Sequence, residues 1–395
     1  MELPSQSSSK TVHSDRHVAV LVDTATNWGR RIVTGINGFM RTTENWRIFF
    51  EPRGPFEPMR LPSGWRGDGV IARVSSTEMV EHLQGSGLPV VNVSAINLPR
   101  QPFPTVANDM EEVARSSADY FIDRGFRNFA YLSLIGLEYV ERQRSAFVAA
   151  VGERGFACAV REIPLRAGSQ QPDWSLNLDD LGRWIAALPK PLAVLTWSGA
   201  REIIHSCQLA GMRVPEDVAV LAAMDNFECQ ISSIPVSAVE LDGERIGYEA
   251  ARTLNASWQS GQSSESRKLF PPKGIITRQS TDIFAVADPA VATALHYIRT
   301  HLDQAIQVED IARHAGVSRR VLERRFQDLL QRSPGEDLRR SRLCKAELLL
   351  EQSDLPIYEV AERSGFGSPE YLTVVFRREK KQSPLKYRRK FSGFF

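Results

Sequence analysis

Two short stretches near the carboxyl end carry the side chains best suited to read a nucleic acid. Arg319, Arg320, Glu323 and Arg324 cluster at one helix start, and Ser368, Glu370, Thr373 and Arg377 occupy a matching stretch fifty positions on. An arginine can take O6 and N7 of guanine together, and a carboxylate can accept from N4 of cytosine. Next to the second stretch, Arg377, Arg378, Lys380 and Lys381, then Lys386, Arg388, Arg389 and Lys390, suit phosphates. Phosphate contacts position a protein and make its binding salt-sensitive without reading sequence. From Pro289 onward there are 20 Lys+Arg against 14 Asp+Glu, and before it 29 against 33, so the basic excess sits in the tail. A solvated helix face accounts for any one of these arginines taken alone.

What lifts them above that reading is the frame in which they recur. Ser318, Leu322, Phe326, Ser333 and Pro334 return as Ser368, Leu372, Phe376, Ser383 and Pro384. Each copy follows a short helical run that ends at Gly316 or Gly365. Glycine lets the chain turn with φ > 0, and the serine after it can cap a second helix. In the first copy Leu322, Phe326 and Leu329 form the stripe expected to pack inward, and in the second Tyr371 or Leu372, Val375 and Phe376 do so. Pro334 to Gln352 reads as a linking helix with Leu338, Leu343, Ala346 and Leu350 facing inward. A helical-repeat scaffold needs at least about three units to bury a continuous core, and here there are two. Helix, turn, helix, twice over, is the frame that places a helix in a major groove.

With Ser383-Pro384-Leu385-Lys386-Tyr387-Arg388 at its end, this tail resembles the DNA-binding domain of the AraC/XylS transcription regulators, which closes on S/T-P-x-x-Y-R. The resemblance covers residues 289–391. It implies double-stranded DNA as partner, a homodimer, and contact with RNA polymerase if the regulator activates. Two readers per protomer imply an asymmetric site, with successive major-groove segments about 34 Å apart.

The preceding 280 residues alternate short β-branched runs with helices. His17 to Val22, Gly69 to Ala72, Pro89 to Val93, Phe129 to Leu132, Ala193 to Thr196 and Val218 to Leu221 are expected strands, with helices such as Trp28 to Arg41, Met110 to Arg124 and Val140 to Arg154 between them. Such alternation means parallel sheets covered on both faces, here in two consecutive doubly wound lobes with a cleft at the carboxyl ends of their strands. The expected fold class is therefore a bilobed α/β body of the periplasmic-binding-protein kind, followed by an all-α domain with two helix-turn-helix motifs. The expected division is a disordered tail over 1–16, a sensing and dimerising body over 17–284 and a DNA reader over 289–391.

No catalytic constellation is found in this body. There is no phosphate-binding Gly-x-x-x-x-Gly-Lys loop, no G-x-G-x-x-G after the first strand and no Gly-x-Ser-x-Gly elbow. Cys158, Cys207, Cys229 and Cys344 lack metal-ligand spacing, so neither a metal nor a cofactor is expected. An apolar signal core and an eighteen-residue apolar span are both missing from the sequence; a cytoplasmic protein with no membrane partner is the expectation.

Gly67 to Ala72, Leu88 to Ser94, Phe121 to Leu132, Val214 to Leu221, Arg245 to Ala251 and Pro271 to Asp282 resemble the lactose/galactose-repressor and periplasmic sugar-binding fold as it occurs in xylose operon regulators. That resemblance implies a small sugar effector held between the lobes. It also implies that Asp225 with Asn226 takes ring hydroxyls and that Trp28 forms an aromatic pocket edge. Other implied pocket positions depart from the pattern: Gln143, flanked by Arg142 and Arg144, stands where an arginine usually precedes a helix phenylalanine by four, Trp197 replaces a polar residue, and Arg73 replaces an acidic one. The departures leave three readings: a sensor of a different, anionic or bulkier sugar; a ligand-independent dimeric regulator; and a sugar-processing enzyme fused to a DNA-binding tail.

Overall fold

The computed structural model describes residues 15–42, 46–52, 59–134, 138–163, 178–260, 266–283, 285 and 288–389; the expected disordered tail falls almost wholly outside them. In chain order the elements are β1 (Arg16–Leu21), α1 (Asn27–Met40), β2 (Trp46–Phe50), β3 (Gly69–Ala72), α2 (Thr77–Gly85), β4 (Val90–Asn92) and β5 (Thr105–Asn108). Then come α3 (Met110–Asp123), β6 (Asn128–Leu134), α4 (Glu138–Gly152), β7 (Cys158–Ile163), α5 (Leu178–Ala187), β8 (Leu192–Thr196), α6 (Ala200–Leu209), β9 (Val218–Ala222), α7 (Phe227–Ile231) and β10 (Ser237–Glu240). α8 (Gly243–Ser260), β11 (Arg267–Phe270) and β12 (Gly274–Ile276) close the body. The tail holds α9 (Pro289–Thr300), α10 (Val308–His314), α11 (Arg319–Leu330), α12 (Pro334–Gln352), α13 (Ile357–Arg363), α14 (Pro369–Lys380) and α15 (Pro384–Arg388).

The chain divides into two compact units, Met1–Asn108 with Asp242–Phe270, and Asp109–Leu241 with Pro271–Phe395. The first is a parallel sheet ordered β11-β5-β4-β3-β1-β2. The second holds a sheet ordered β12-β10-β9-β8-β6-β7, parallel except for β12, together with the helical tail. β3, β8 and β9 are buried along their whole length, as strands covered on both faces must be. Two consecutive lobes were expected, but the chain does not finish the first before starting the second. α8 and β11 return to the first unit, and β12 goes back to the second. α8 buries Ile246, Ala250, Ala251 and Leu254 in the core that also holds Ile32, Ile36 and Val18. Its backbone lies so close to α1 that a Cβ on Gly247 would stand 2.0 Å from the Ile32 carbonyl oxygen.

The tail has two small cores. Val291, Ala294, Leu295 and Ile298 of α9 pack with Ile311, Leu322, Phe326, Leu330 and Leu338. Leu343, Ala346 and Leu350 pack with Val360, Leu372, Val375 and Phe376. α12 feeds both, so the two repeats are joined through its hydrophobic stripe. One sequence expectation needs correction, and one open choice is decided. Leu329 is 36% exposed while Leu330 is 5% exposed, because the inward stripe of α11 advances by four residues each turn, not by four and then three. Tyr371 is 49% exposed and Leu372 fully buried, which settles that pair.

Replacing Gly247 by alanine forces α1 and α8 apart. The expected cost is about 1–3 kcal/mol of stability, read from the midpoint of urea unfolding of the full chain.

Candidate nucleic-acid interface and effector faces

α11 and α14 are cut to the same length by the same devices. Ser318 accepts from the Val321 amide and Ser368 from the Tyr371 amide, each filling one orphan donor of a helix start. Gly365, which turns α13 toward α14, has φ +77, and a Cβ there would lie 1.8 Å from the Leu302 carbonyl oxygen. Only glycine meets both demands.

The expected base readers do not stand alike. Arg319 is tied to Glu309 and, at 2.8 Å, to Glu323, so those two charges of the helix already satisfy each other. Arg320 and Arg324 are exposed one turn apart and enter no ion pair among the described residues. On α14, Ser368 is committed to its cap, Thr373 is half-buried, and Glu370 and Arg377 point outward. Among the expected phosphate contacts, Arg378 pairs with Glu379, Lys380 with Glu347 of α12, and the Lys381 ammonium donates to the Arg378 carbonyl. Arg388 departs furthest from expectation. It turns inward and donates to the Leu355 carbonyl at 2.5 Å, and burial holds its guanidinium below the usual arginine range. The last arginine of the S-P-x-x-Y-R motif thus acts as a strut between α15 and the loop before α13. Lys390 lies outside the described residues.

In each body lobe, polar groups collect where the strands end. Asp23, just past β1, is 3% exposed, and its Oδ2 lies 3.2 Å from Arg73 beyond β3. Burial lifts its carboxyl to about 6, with Arg73 pulling the other way. Trp28 donates its indole N–H to Oδ1 of Asn108, at the end of β5, at 2.9 Å. Asp23 Oδ1 and Asn108 Nδ2 are buried with no hydrogen-bond partner among the described residues. Sequence reasoning missed Asp23 and Asn108, although each is the first or last polar residue at the carboxyl end of an apolar strand.

In the second lobe Asp225 Oδ1 lies 2.8 Å from Arg278, which also donates to the Val236 carbonyl. Asn226 caps α7 by accepting from the Cys229 amide at 3.1 Å. The capping role therefore falls to Asn226 and leaves Asp225 for other work. Gln143 is fully buried and accepts from the Tyr131 hydroxyl at 2.6 Å, while Arg142 pairs with Glu138 on its own helix. Trp197 stacks edge-on against Tyr139, ring centroids 5.0 Å apart.

Residues 17–110 match the model of the XylR N-terminal domain, 118–281 that of a periplasmic binding protein-like domain and 311–390 that of a helix-turn-helix domain. The xylose operon regulatory protein of Escherichia coli (strain K12) is 28% identical over 388 residues, covering 94% of this chain and 97% of that protein. A solved structure described as the xylose-binding transcription activator xylR is 26% identical, with a TM-score of 0.61, and covers 96% of this chain and 99% of that one. Regulatory protein SoxS of Salmonella typhimurium is 32% identical over 98 residues, 92% of its length. The chain belongs to the xylose operon regulator group of the AraC/XylS family. It is a DNA-binding transcription regulator, not an enzyme. No helix of the described residues is long and apolar enough to cross a membrane.

The second body lobe and the helix-turn-helix tail are joined by polar contacts. Arg332, just before α12, donates to the Asp123 carbonyl at the end of α3 at 3.1 Å and pairs with the buried Asp337 at 2.6 Å. Arg340 of α12 reaches the Asp123 carboxylate at 3.0 Å. Asp288 caps α9 and holds Arg325 of α11 at 2.8 Å.

Two outcomes are expected from this geometry. Arg320→Ala or Arg324→Ala weakens specific operator binding by about 1–3 kcal/mol, whereas Arg388→Ala lowers thermal stability and leaves the slope of log K against log salt unchanged; titrations at several salt concentrations separate the two. Because burial raises the Asp23 carboxyl above its unfolded value, its ionisation costs folding stability. Stability of the chain without effector therefore falls as the pH rises from about 4 through about 6, and Asp23→Asn flattens that fall in urea titrations.

Proposed function

We propose that the regulator is switched by a small neutral polyol, most simply a sugar, held by polar groups at the carboxyl ends of the strands of its α/β body. The observation that carries the reading is the unmet hydrogen-bonding capacity of Asp23 and Asn108, one acceptor and one donor, beside the ring of Trp28. A ring hydroxyl both donates and accepts, so it can meet the two together, and the indole suits the apolar face of a sugar. Arg73 and Arg278 do not make the site an anion trap, since each is already neutralised by Asp23 or Asp225. This argues for an uncharged ligand over a sugar acid.

In this reading residues 17–284 sense and dimerise, and residues 289–391 read DNA. Arg73, Arg142, Gln143 and Trp197 shape the site, with Asp225 as the main acceptor in the second lobe and Asn226 as its support. Two protomers in the cytoplasm place α11 and α14 of each on adjacent half-sites, and RNA polymerase is contacted where the output is activation. The effector shifts a population of conformations by its difference in affinity between them, and can do no more than that.

A thermal-shift screen of pentoses, hexoses and sugar acids against the full chain tests the reading. One neutral sugar should raise the melting point and change operator affinity at fixed salt, with both effects lost in Asp225→Asn and Trp28→Ala. Stabilisation by none of them, with operator binding intact, would leave the ligand-independent dimer as the better account.

A further inference from the structure

Duplication allows the outward residues of the two reading helices to be compared position by position. α11 and α14 each span 12 residues, and a shift of fifty brings their caps, their buried leucine and phenylalanine, and their left-handed C-caps Gln331 and Lys381 into register. The same shift sets Arg320 against Glu370 and Arg324 against Val374. All four are exposed, and none of the three charged ones enters an ion pair among the described residues. Val374 is 63% exposed, more than any other large apolar side chain described, and Tyr371 one turn earlier is 49% exposed. Such exposure is unfavourable in water, since burying a valine side chain is worth about 1.5–3 kcal/mol. Glu370 adds a second oddity. A carboxylate brought between two phosphate walls is repelled unless a base amine receives it.

We propose that α14 reads its part of the operator with an apolar and acidic pair, Val374 on the C5-methyl group of a thymine and Glu370 on the N4 amine of a cytosine. α11 reads guanine through Arg320 and Arg324. The inference rests on both helices entering the major groove. Residues four apart on a helix stand about 6 Å apart along its axis, and base pairs about 3.4 Å apart, so each pair spans one or two base steps. The C5-methyl and the N4 amine are both displayed in that groove, and a short β-branched side chain is suited to the first.

The test uses the full chain and a duplex selected from a random library. Each thymine in the second element is replaced by deoxyuridine, which removes the methyl group and leaves the pairing intact. One replacement should weaken wild-type binding about threefold to tenfold, Val374→Ala should lose a similar factor on the thymine duplex, and Val374→Ala should no longer distinguish the two duplexes. Because Val374 is exposed, an unchanged melting temperature of the variant confirms that it folds. In the same assay Glu370→Gln should lose discrimination at one cytosine. If no thymine is sensitive to loss of its methyl, or if Val374→Ala keeps the wild-type sensitivity, the proposal is overturned. A library from which no sequence is enriched would overturn the major-groove reading itself.

Discussion

The carboxyl end of α3 is where the second body lobe holds the reader, and the arrangement of the tail depends on it. A helix end leaves carbonyls without partners and carries partial negative charge, so cations are favoured there. Arg332 meets both demands by donating to the Asp123 carbonyl while its other side is fixed by Asp337. That pair is 16% and 3% exposed, and breaking it would strand a buried carboxylate at about 3–5 kcal/mol. Arg340 reaches the same Asp123 carboxylate from a half-exposed position, so its end of the pair is screened by solvent. Arg332 therefore sets the geometry and Arg340 tunes it. Burial raises the Asp123 carboxyl, and Arg340, Arg332 and Arg299 pull the other way.

From that joint a run of contacts leads back to Asp225 in the same lobe. Arg278, which holds Asp225, receives a hydrogen bond at its carbonyl from the Ser237 hydroxyl; Ser237 accepts from Thr281, and Thr281 shares a 2.5 Å hydrogen bond with Tyr120. Tyr120 lies under the guanidinium of Arg124, whose backbone carbonyl accepts from Ala285 where the chain leaves for the tail. Arg124 is nearly buried, and burial pushes its guanidinium down to about 10. Hydroxyls, by contrast, exchange donor and acceptor roles at little cost.

What could be read from the residues alone followed the range of the forces involved. The duplicated helix-turn-helix was legible because caps, turn glycines and apolar stripes are local, and α12 was legible from Pro334 and its leucines. α8 and β11 were assigned to no lobe, because their partners Ile32, Ile36 and β5 are more than a hundred and fifty residues away in sequence. Leu329 was taken for Leu330 because a stripe read as i, i+4, i+7 fits a helix as well as one read as i, i+4, i+8. At the site, residue types were legible and pairings were not. Arg73 looked like an intruder until its partner Asp23 was in view, and Arg388 looked like a phosphate contact until Leu355 was. Charge is written in the sequence, but whether it is spent inside the protein is decided by the fold.

That distinction bears on how one protomer knows its direction on DNA. Two reading helices of equal length and equal capping could sit on a duplex in either order if their outward residues were alike. They are not: after Arg319, Glu323, Arg378 and Lys380 are discounted as internally paired, α11 offers two arginines and α14 a carboxylate, a valine and Arg377. Exchanging the helices would place Glu370 where a guanine presents only acceptors, and a carboxylate facing acceptors costs more than a lost contact because the buried charge is left unpaired. The backbone duplication therefore supplies the spacing, and the divergence of four exposed positions supplies the polarity. A duplicated scaffold with divergent outward chemistry gives the reader one orientation on its site.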